Sequence, residues 1–228
     1  MSYFHEPRPD HQVFKAFRTV VWVAFWFLLI YCLAPRSRAD VLELQRTRWA
    51  SAKVRPDWTP SIKKSLWNFE RDRKRYEAVT AMNPNGVPAL VIFALHNRES
   101  SCSFRCHLHE GSPLNKPTKY VPKNRPPGPG PFTWEESAKD ALYSADRLQD
   151  INWKRVDTSL QGVEAYNGTG YQRYHPDVPS PYLWSGTTVY SRGKYSSDGR
   201  FDRLATDQQI GCAAILKMAG ESAWLKKP

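Results

Sequence analysis

The chain has 228 residues, with 33 Lys plus Arg against 22 Asp plus Glu and a formal net charge of +11. A hydrophobic content of 41% with 13% aromatics suffices for a real core and excludes a wholly disordered chain, while a mean hydropathy of −0.61 excludes a multi-span membrane protein. Four cysteines do not make a disulfide scaffold, and 18 prolines against 12 glycines, without a period, exclude collagen and point to long structured loops. The basic balance favours an anionic partner: nucleic acid, acidic lipid or an anionic polymer. Residues 1–80 hold 15 Lys/Arg and 8 Asp/Glu, so +7 of the +11 lies there and the excess is not spread evenly over a DNA-binding face.

In chain order, residues 1–18 read as a polar head. Residues 19–35 (TVVWVAFWFLLIYCLAP) are 17 residues without a charge. As a helix that run reaches roughly 25 Å, and flanking Phe14 and Phe17 with snorkelling Lys15 and Arg18 extend it to a feasible membrane span. It is apolar all round, which argues against a helix lying in the membrane surface. An uncleaved transmembrane signal anchor is the preferred reading; a signal peptide cleaved after Ser37-Arg38-Ala39 and a buried helix of a soluble domain are its rivals. Residues 36–60 are basic, contain Pro56 and Pro60, and read as a stalk with a short helix from Asp40 to Trp49. Residues 61–228 form the globular domain.

That domain reads as mainly helical. Ser61 is a candidate cap for a helix with Ile62, Leu66, Phe69, Tyr76 and Val79 on one face. Its other face, Lys63, Lys64, Arg71, Arg73, Lys74 and Arg75, reads as solvated. Pro88 suits the first position of a helix through Ala89–Leu95, apolar nearly all round and hence the central buried one. Residues 111–132 hold seven prolines, so no helix runs through them. Thr133-Trp134-Glu135-Glu136 is a capping box that opens a helix with Ala138, Ala141, Leu142 and Ala145 inward. A further helix is expected from Asp150 to near Gly168, a Pro/Gly/aromatic loop over 175–201, and a last helix over 205–218. No run of alternating residues marks a strand.

The chemistry concentrates at Glu99, which closes the apolar helix. The helix dipole disfavours an anion there, and apolar surroundings favour the protonated carboxyl, so the residue type and position suit a general acid. Cleavage of a glycosidic bond needs such an acid beside the leaving oxygen. A structural ion pair, with Arg98 as partner, is the plainer alternative. Cys102-x3-Cys106-His107-x-His109 has spacings seen in zinc sites, but only Cys212 and His175 could complete it, so no metal is expected. Core thiols, or a disulfide of Cys102 with Cys106 or Cys212, are the better reading.

The Glu99-Ser100 pair after a buried helix, followed by Ala165-Tyr166-Asn167-Gly168, resembles lytic transglycosylases and goose-type lysozymes. A longer ordered series resembles a phage-associated lysozyme-like family more closely: Arg98–Phe104, Cys106–His109, Pro131–Glu135, Tyr166–Tyr171, His175-Pro176, Ser180–Trp184 and Arg192–Tyr195. The likeness spans roughly Arg71 to Met218. It implies a lysozyme-like fold with long Pro-rich loops that cleaves peptidoglycan glycan strands, with Glu99 as the acid and no cofactor. It further implies that Tyr166 and Asn167 line the sugar cleft. Tyr182, Trp184 and Tyr190 are added as candidates, because aromatic faces stack on pyranose rings.

Two departures bear on the product. A Gly-Leu-Met-Gln-like segment, usual in transglycosylases, is absent. Where the family more commonly reads His-Asn-Gly-Asp-Pro-Leu, this chain has His109-Glu110-Gly111-Ser112-Pro113-Leu114. Hydrolysis needs a second carboxylate; Ser112 cannot supply it, which leaves Glu110 as the candidate. Transglycosylation needs one carboxylate only. The likeness implies a phage-type enzyme in the bacterial inner membrane, anchored by residues 19–35, with its domain in the periplasm. By analogy with endolysins that release their anchor, Cys32 would exchange with a bridge near Glu99. A catalytically inactive, membrane-anchored peptidoglycan-binding module is the alternative. Nucleic acid is not an expected partner, because no nucleic-acid motif occurs.

Overall fold

The structure, a computed structural model, describes residues 37–144, 148–197 and 199–225. Among these the chain runs α1 (Arg38–Ser51), α2 (Thr59–Ala81), α3 (Ala89–Ser100), α4 (Trp134–Tyr143), α5 (Val156–Asn167), α6 (Gly170–Tyr174), α7 (Pro181–Trp184), β1 (Lys194–Ser197), β2 (Arg200–Asp202) and α8 (Cys212–Ala219). Short 3-10 turns lie at Pro56–Trp58 and Glu221–Ala223. The domain is mainly α, as its sequence pattern predicts.

Helix α3 is the centre because its sequence offers no polar face. Leu90 through His96 are buried without a break, so neighbours must cover it on every side. Helix α2 covers one side with Ile62, Phe69, Tyr76 and Val79, the stripe expected from helical spacing. Helix α8 covers another with Cys212–Leu216, and α7 packs on α8. An aromatic cluster of Tyr76, Phe93, His96, Phe104 and Trp134 closes the region between α2, α3 and α4.

Several boundaries differ from the sequence reading. Helix α2 begins at Thr59, with Pro60 in its first turn, so Ser61 lies inside the helix rather than capping it. The helix expected from Asp150 begins at Val156, because Asn152 accepts the Lys154 N–H in an Asx turn and Trp153 is buried there. The last helix begins at Cys212 rather than near 205, because Asp207 engages the Gln209 N–H and the Arg98 guanidinium, which keeps 205–211 out of the helix. Gly211 then packs so tightly on α7 that an added Cβ would lie 2.6 Å from the Leu183 carbonyl oxygen. Strands β1 and β2 form a small antiparallel hairpin where no strand was expected. At four and three residues, with a register irregularity after Tyr195, they are too short to show alternation.

The capping box at Thr133 and Glu136 is present, and Ala138, Ala141 and Leu142 face inward. Ala145 lies outside the described residues. The proline-rich stretch 111–132 is free of helix and carries cis peptide bonds at Pro122, Pro126 and Pro131.

The sequence reads residues 36–60 as a stalk; the helix expected within them is present, but it belongs to the compact unit that starts at Arg38. Helix α1 packs along α5. Trp49 is buried against Trp224 at 5.6 Å, donates from Nε1 to Glu221 at 2.6 Å, and carries Lys217 Nζ over its ring at 4.4 Å. Gln45 donates to the buried Glu164 carboxylate, and Arg46 pairs with Asp157 at 2.6 Å. A tryptophan and a glutamine at these positions give the segment its own core contacts, which the basic composition around them obscures. The expected head (1–18) and span (19–35) lie outside the described residues; among the described residues no helix is long and apolar enough to cross a membrane.

Candidate active site

Glu99 lies in the last turn of α3 and is half-buried. The helix ends at Ser101 and Cys102, which both take left-handed conformations, at φ +50° and +60°, and the Cys102 N–H closes on the His96 carbonyl at 3.2 Å. This reversal turns the chain back toward Glu99. Residues 105–114 then fold on themselves: Leu114 N–H bonds Arg105 O at 3.1 Å, His107 N–H bonds Ser112 O at 2.7 Å, and Gly111 N–H bonds His107 O at 3.0 Å.

Gly111 makes the juxtaposition possible. Its φ is +81°, and a Cβ there would lie 2.6 Å from the Glu99 carbonyl oxygen. Glu110, Gly111 and Ser112 are therefore brought against the end of α3. Glu110 Oε1 accepts the Ser112 hydroxyl; its Oε2 is buried and makes no hydrogen bond among the described residues.

Tyr182, on α7, is buried and donates its hydroxyl to Glu99 Oε1 at 2.7 Å. Burial, reinforced by the neighbouring Glu99 carboxylate, pushes the Tyr182 phenol well above its ordinary value, so it stays a neutral donor. Tyr166, on α5, donates to the Leu108 carbonyl at 2.9 Å and so ties α5 to the same loop. Asn167 is exposed at the end of α5 beside it.

The other aromatics belong elsewhere. Trp184 is 0% exposed in the core, so it presents no face to a sugar; apolar packing of the short helix α7, not a cleft, is its role. Tyr190 is buried too, bonded to Gly193 O and to the Asp207 N–H.

Arg98 does not pair with its neighbour Glu99. It makes a bidentate pair with Asp207, both at 3.0 Å, adds a bond to Gln209 O, and lies with its guanidinium 5.2 Å from the Tyr182 ring centre. Burial acts to raise the Asp207 carboxyl, but the Arg98 hydrogen bonds and charge outweigh it and hold the carboxyl low. Asp207 is the site-supporting residue that motif reading missed. Its only sequence signal is an acidic residue in a polar stretch, and the pairing spans 109 residues.

All three described cysteines, Cys102, Cys106 and Cys212, are free thiols, the first of the two readings given for them, and Cys32 lies outside the described residues. Burial pushes the Cys102 and Cys212 thiols up to about 12. Among the described residues no group of three His, Cys, Asp or Glu side chains is arranged to hold a metal ion. His107 and His109 serve the loop instead: His107 bonds Ser137 Oγ and Lys116 O at 2.8 Å each, and His109 bonds Asp140 at 2.9 Å. A cavity of about 380 Å³ lies beyond that network, lined by Pro126, Pro127, Phe132, Lys139, Asp140 and Tyr143 among others; it contains none of the candidate residues.

Comparison with protein-family models, with curated proteins and with solved structures finds no match for this chain.

Proposed function

We propose that the protein is a glycosidase that cleaves the glycan strands of peptidoglycan, with Glu99 as general acid on a lysozyme-like domain. The observation that carries this reading is the environment of Glu99: a carboxyl in the last turn of a helix whose body, Leu90–His96, is buried, bonded at Oε1 by a buried tyrosine, with the Gly111 turn packed on the same residue's backbone carbonyl. A carboxyl held in place by a neutral donor is positioned to carry a proton to a leaving oxygen. Asn167, exposed at the adjacent end of α5, fits the edge of a glycan cleft, and Tyr166, buried with its hydroxyl on the Leu108 carbonyl, fits the support beneath that edge. Glu110 is the candidate second carboxylate. Hydrolysis through it leaves reducing ends, whereas attack by the sugar's own 6-hydroxyl leaves anhydro ends. Residues 19–35 would anchor the enzyme in the bacterial inner membrane, with the domain in the periplasm, as in phage-type lysis enzymes.

The test is clearing of purified peptidoglycan by the full chain in mild detergent, wild type beside Glu99→Gln, with products read by mass spectrometry. Wild-type clearing that falls at least a hundredfold in the variant is expected, since loss of the acid removes a contribution of about 10²–10⁴. Wall binding by a folded wild type without any turnover would refute the enzyme and select the binding-module reading.

A further inference from the structure

The α2 surface opposite the core carries a feature that glycan cleavage does not use. Trp67 is 64% exposed, although a tryptophan on a water-facing helix surface forfeits its apolar area. On the helical repeat, Lys63, Lys64, Arg71 and Lys74 lie on the same face of the helix as Trp67, and all four are exposed. The acidic residues nearby are already engaged: Glu70 with Arg73 and Asp72 with Arg71, whose guanidinium also lies 5.5 Å from the Trp67 ring. Lys63, Lys64 and Lys74 have no carboxylate partner among the described residues. The remaining basic residues of the helix are held elsewhere. Arg73 lies over Phe69 at 4.6 Å, and Arg75 lies over Phe104 at 3.7 Å while bonding Glu135.

We infer that this face of α2 docks on an anionic lipid surface, with Trp67 at the headgroup boundary and Lys63, Lys64 and Lys74 against lipid phosphates. Two properties select lipid over another polyanion. Tryptophan prefers the membrane–water interface, where its apolar ring and its N–H are both accommodated. Unpaired lysines around it supply the electrostatic half of such an attachment. The same sequence contains the 17-residue charge-free run at 19–35, so the chain already carries lipid-partitioning chemistry. Resting on the anchor proposed above, the α2 face would be a second lipid contact of the chain. The face is opposite the side of α2 that covers α3, the helix that ends in Glu99.

This inference does not depend on glycan cleavage, because its readout is the Trp67 side chain. The full chain is incorporated into phosphatidylcholine vesicles with and without phosphatidylglycerol. The Trp67 component is obtained as wild-type minus Trp67→Phe emission, and is probed with acrylamide from the water and with brominated lipid from the membrane. In phosphatidylglycerol vesicles the Trp67 component is expected to shift to the blue, to be shielded from acrylamide and to be quenched by brominated lipid. In phosphatidylcholine alone it is expected to stay accessible. Each of Lys63→Gln, Lys64→Gln and Lys74→Gln is expected to weaken the docking roughly fivefold, and the triple variant to abolish it. Equal acrylamide access in both vesicles overturns the proposal. So does shielding that ignores the lysine substitutions, and so does shielding by isolated peptidoglycan or DNA but not by lipid. Glu99→Gln leaves the expected signal unchanged, so failure here and failure of the proposed activity are separate results.

Discussion

At the residue scale, the candidate site depends on atoms that touch. Gly111 is the clearest case. Its positive φ strains any other residue, and its approach to the Glu99 carbonyl leaves no room for a methyl group. Gly111→Ala must therefore push the 105–114 turn away from the end of α3. It is expected to destabilise the protein by about 1–3 kcal/mol and to lower peptidoglycan clearing by more than that loss of folded protein explains. Denaturant titration beside the clearing assay measures both; unchanged activity in the folded variant would show that the turn has no part in the site. His96 gives a second residue-level expectation. Its Nε2 faces the Ser103 carbonyl at 3.1 Å and so carries the proton, which leaves Nδ1 to accept from the Tyr76 hydroxyl at 3.0 Å. Burial lowers its pKa to about 4. An unfolded histidine titrates near 6.5, so between about 6.5 and 4 the unfolded chain binds the extra proton. Stability from this group is therefore complete above 6.5 and is lost as pH falls through the window, by about 3 kcal/mol in all. Urea titrations from pH 7 to 4.5 should show this slope in the wild type and lose it in His96→Gln; an identical slope in both would refute the assignment.

At the element scale, α1 is held to the domain by an aromatic anchor and by one ion pair to α5. Trp49 joins an aromatic contact, a hydrogen bond to Glu221 and the Lys217 ammonium above its ring. Arg46 meets Asp157 on α5, where Arg155 also bonds the same carboxylate and, with Arg46, holds it well below the usual range. Trp49→Ala is expected to cost about 3–5 kcal/mol, the usual range for losing a buried tryptophan. Because α5 carries Tyr166 and Asn167, the same change should reach the candidate site. Thermal unfolding measures the first effect. Amide exchange across 156–167 measures the second: exchange no faster than in wild type would show that α1 is merely attached.

At the scale of the whole molecule, what the sequence determined and what the tertiary structure decided divide along a physical line. Local chemistry was legible. The six consecutive buried positions Leu90–Leu95 in α3 follow from an uninterrupted apolar run, the α4 capping box from Thr133 and Glu136, and the absence of helix over 111–132 from its prolines. Each of these is set by neighbours within a few residues, where propensity and spacing act directly. The position of Glu99 at the end of a buried helix was legible for the same reason. The helical face of α2 was legible as a charged surface, and so was the hold of Phe69 and Glu70 on Arg73 within the helix, but not the capture of Arg75 by Phe104 and Glu135, which only folding brings near. The structure alone decided that residues 38–51 join the core, that Arg98 pairs with Asp207 rather than with Glu99, that Tyr182 reaches the carboxylate while Trp184 turns inward, and that three cysteines stay apart as thiols. These contacts join residues from 83 to more than 100 positions apart. No local period or motif encodes them, because they arise from which faces remain uncovered once α3 has been enclosed.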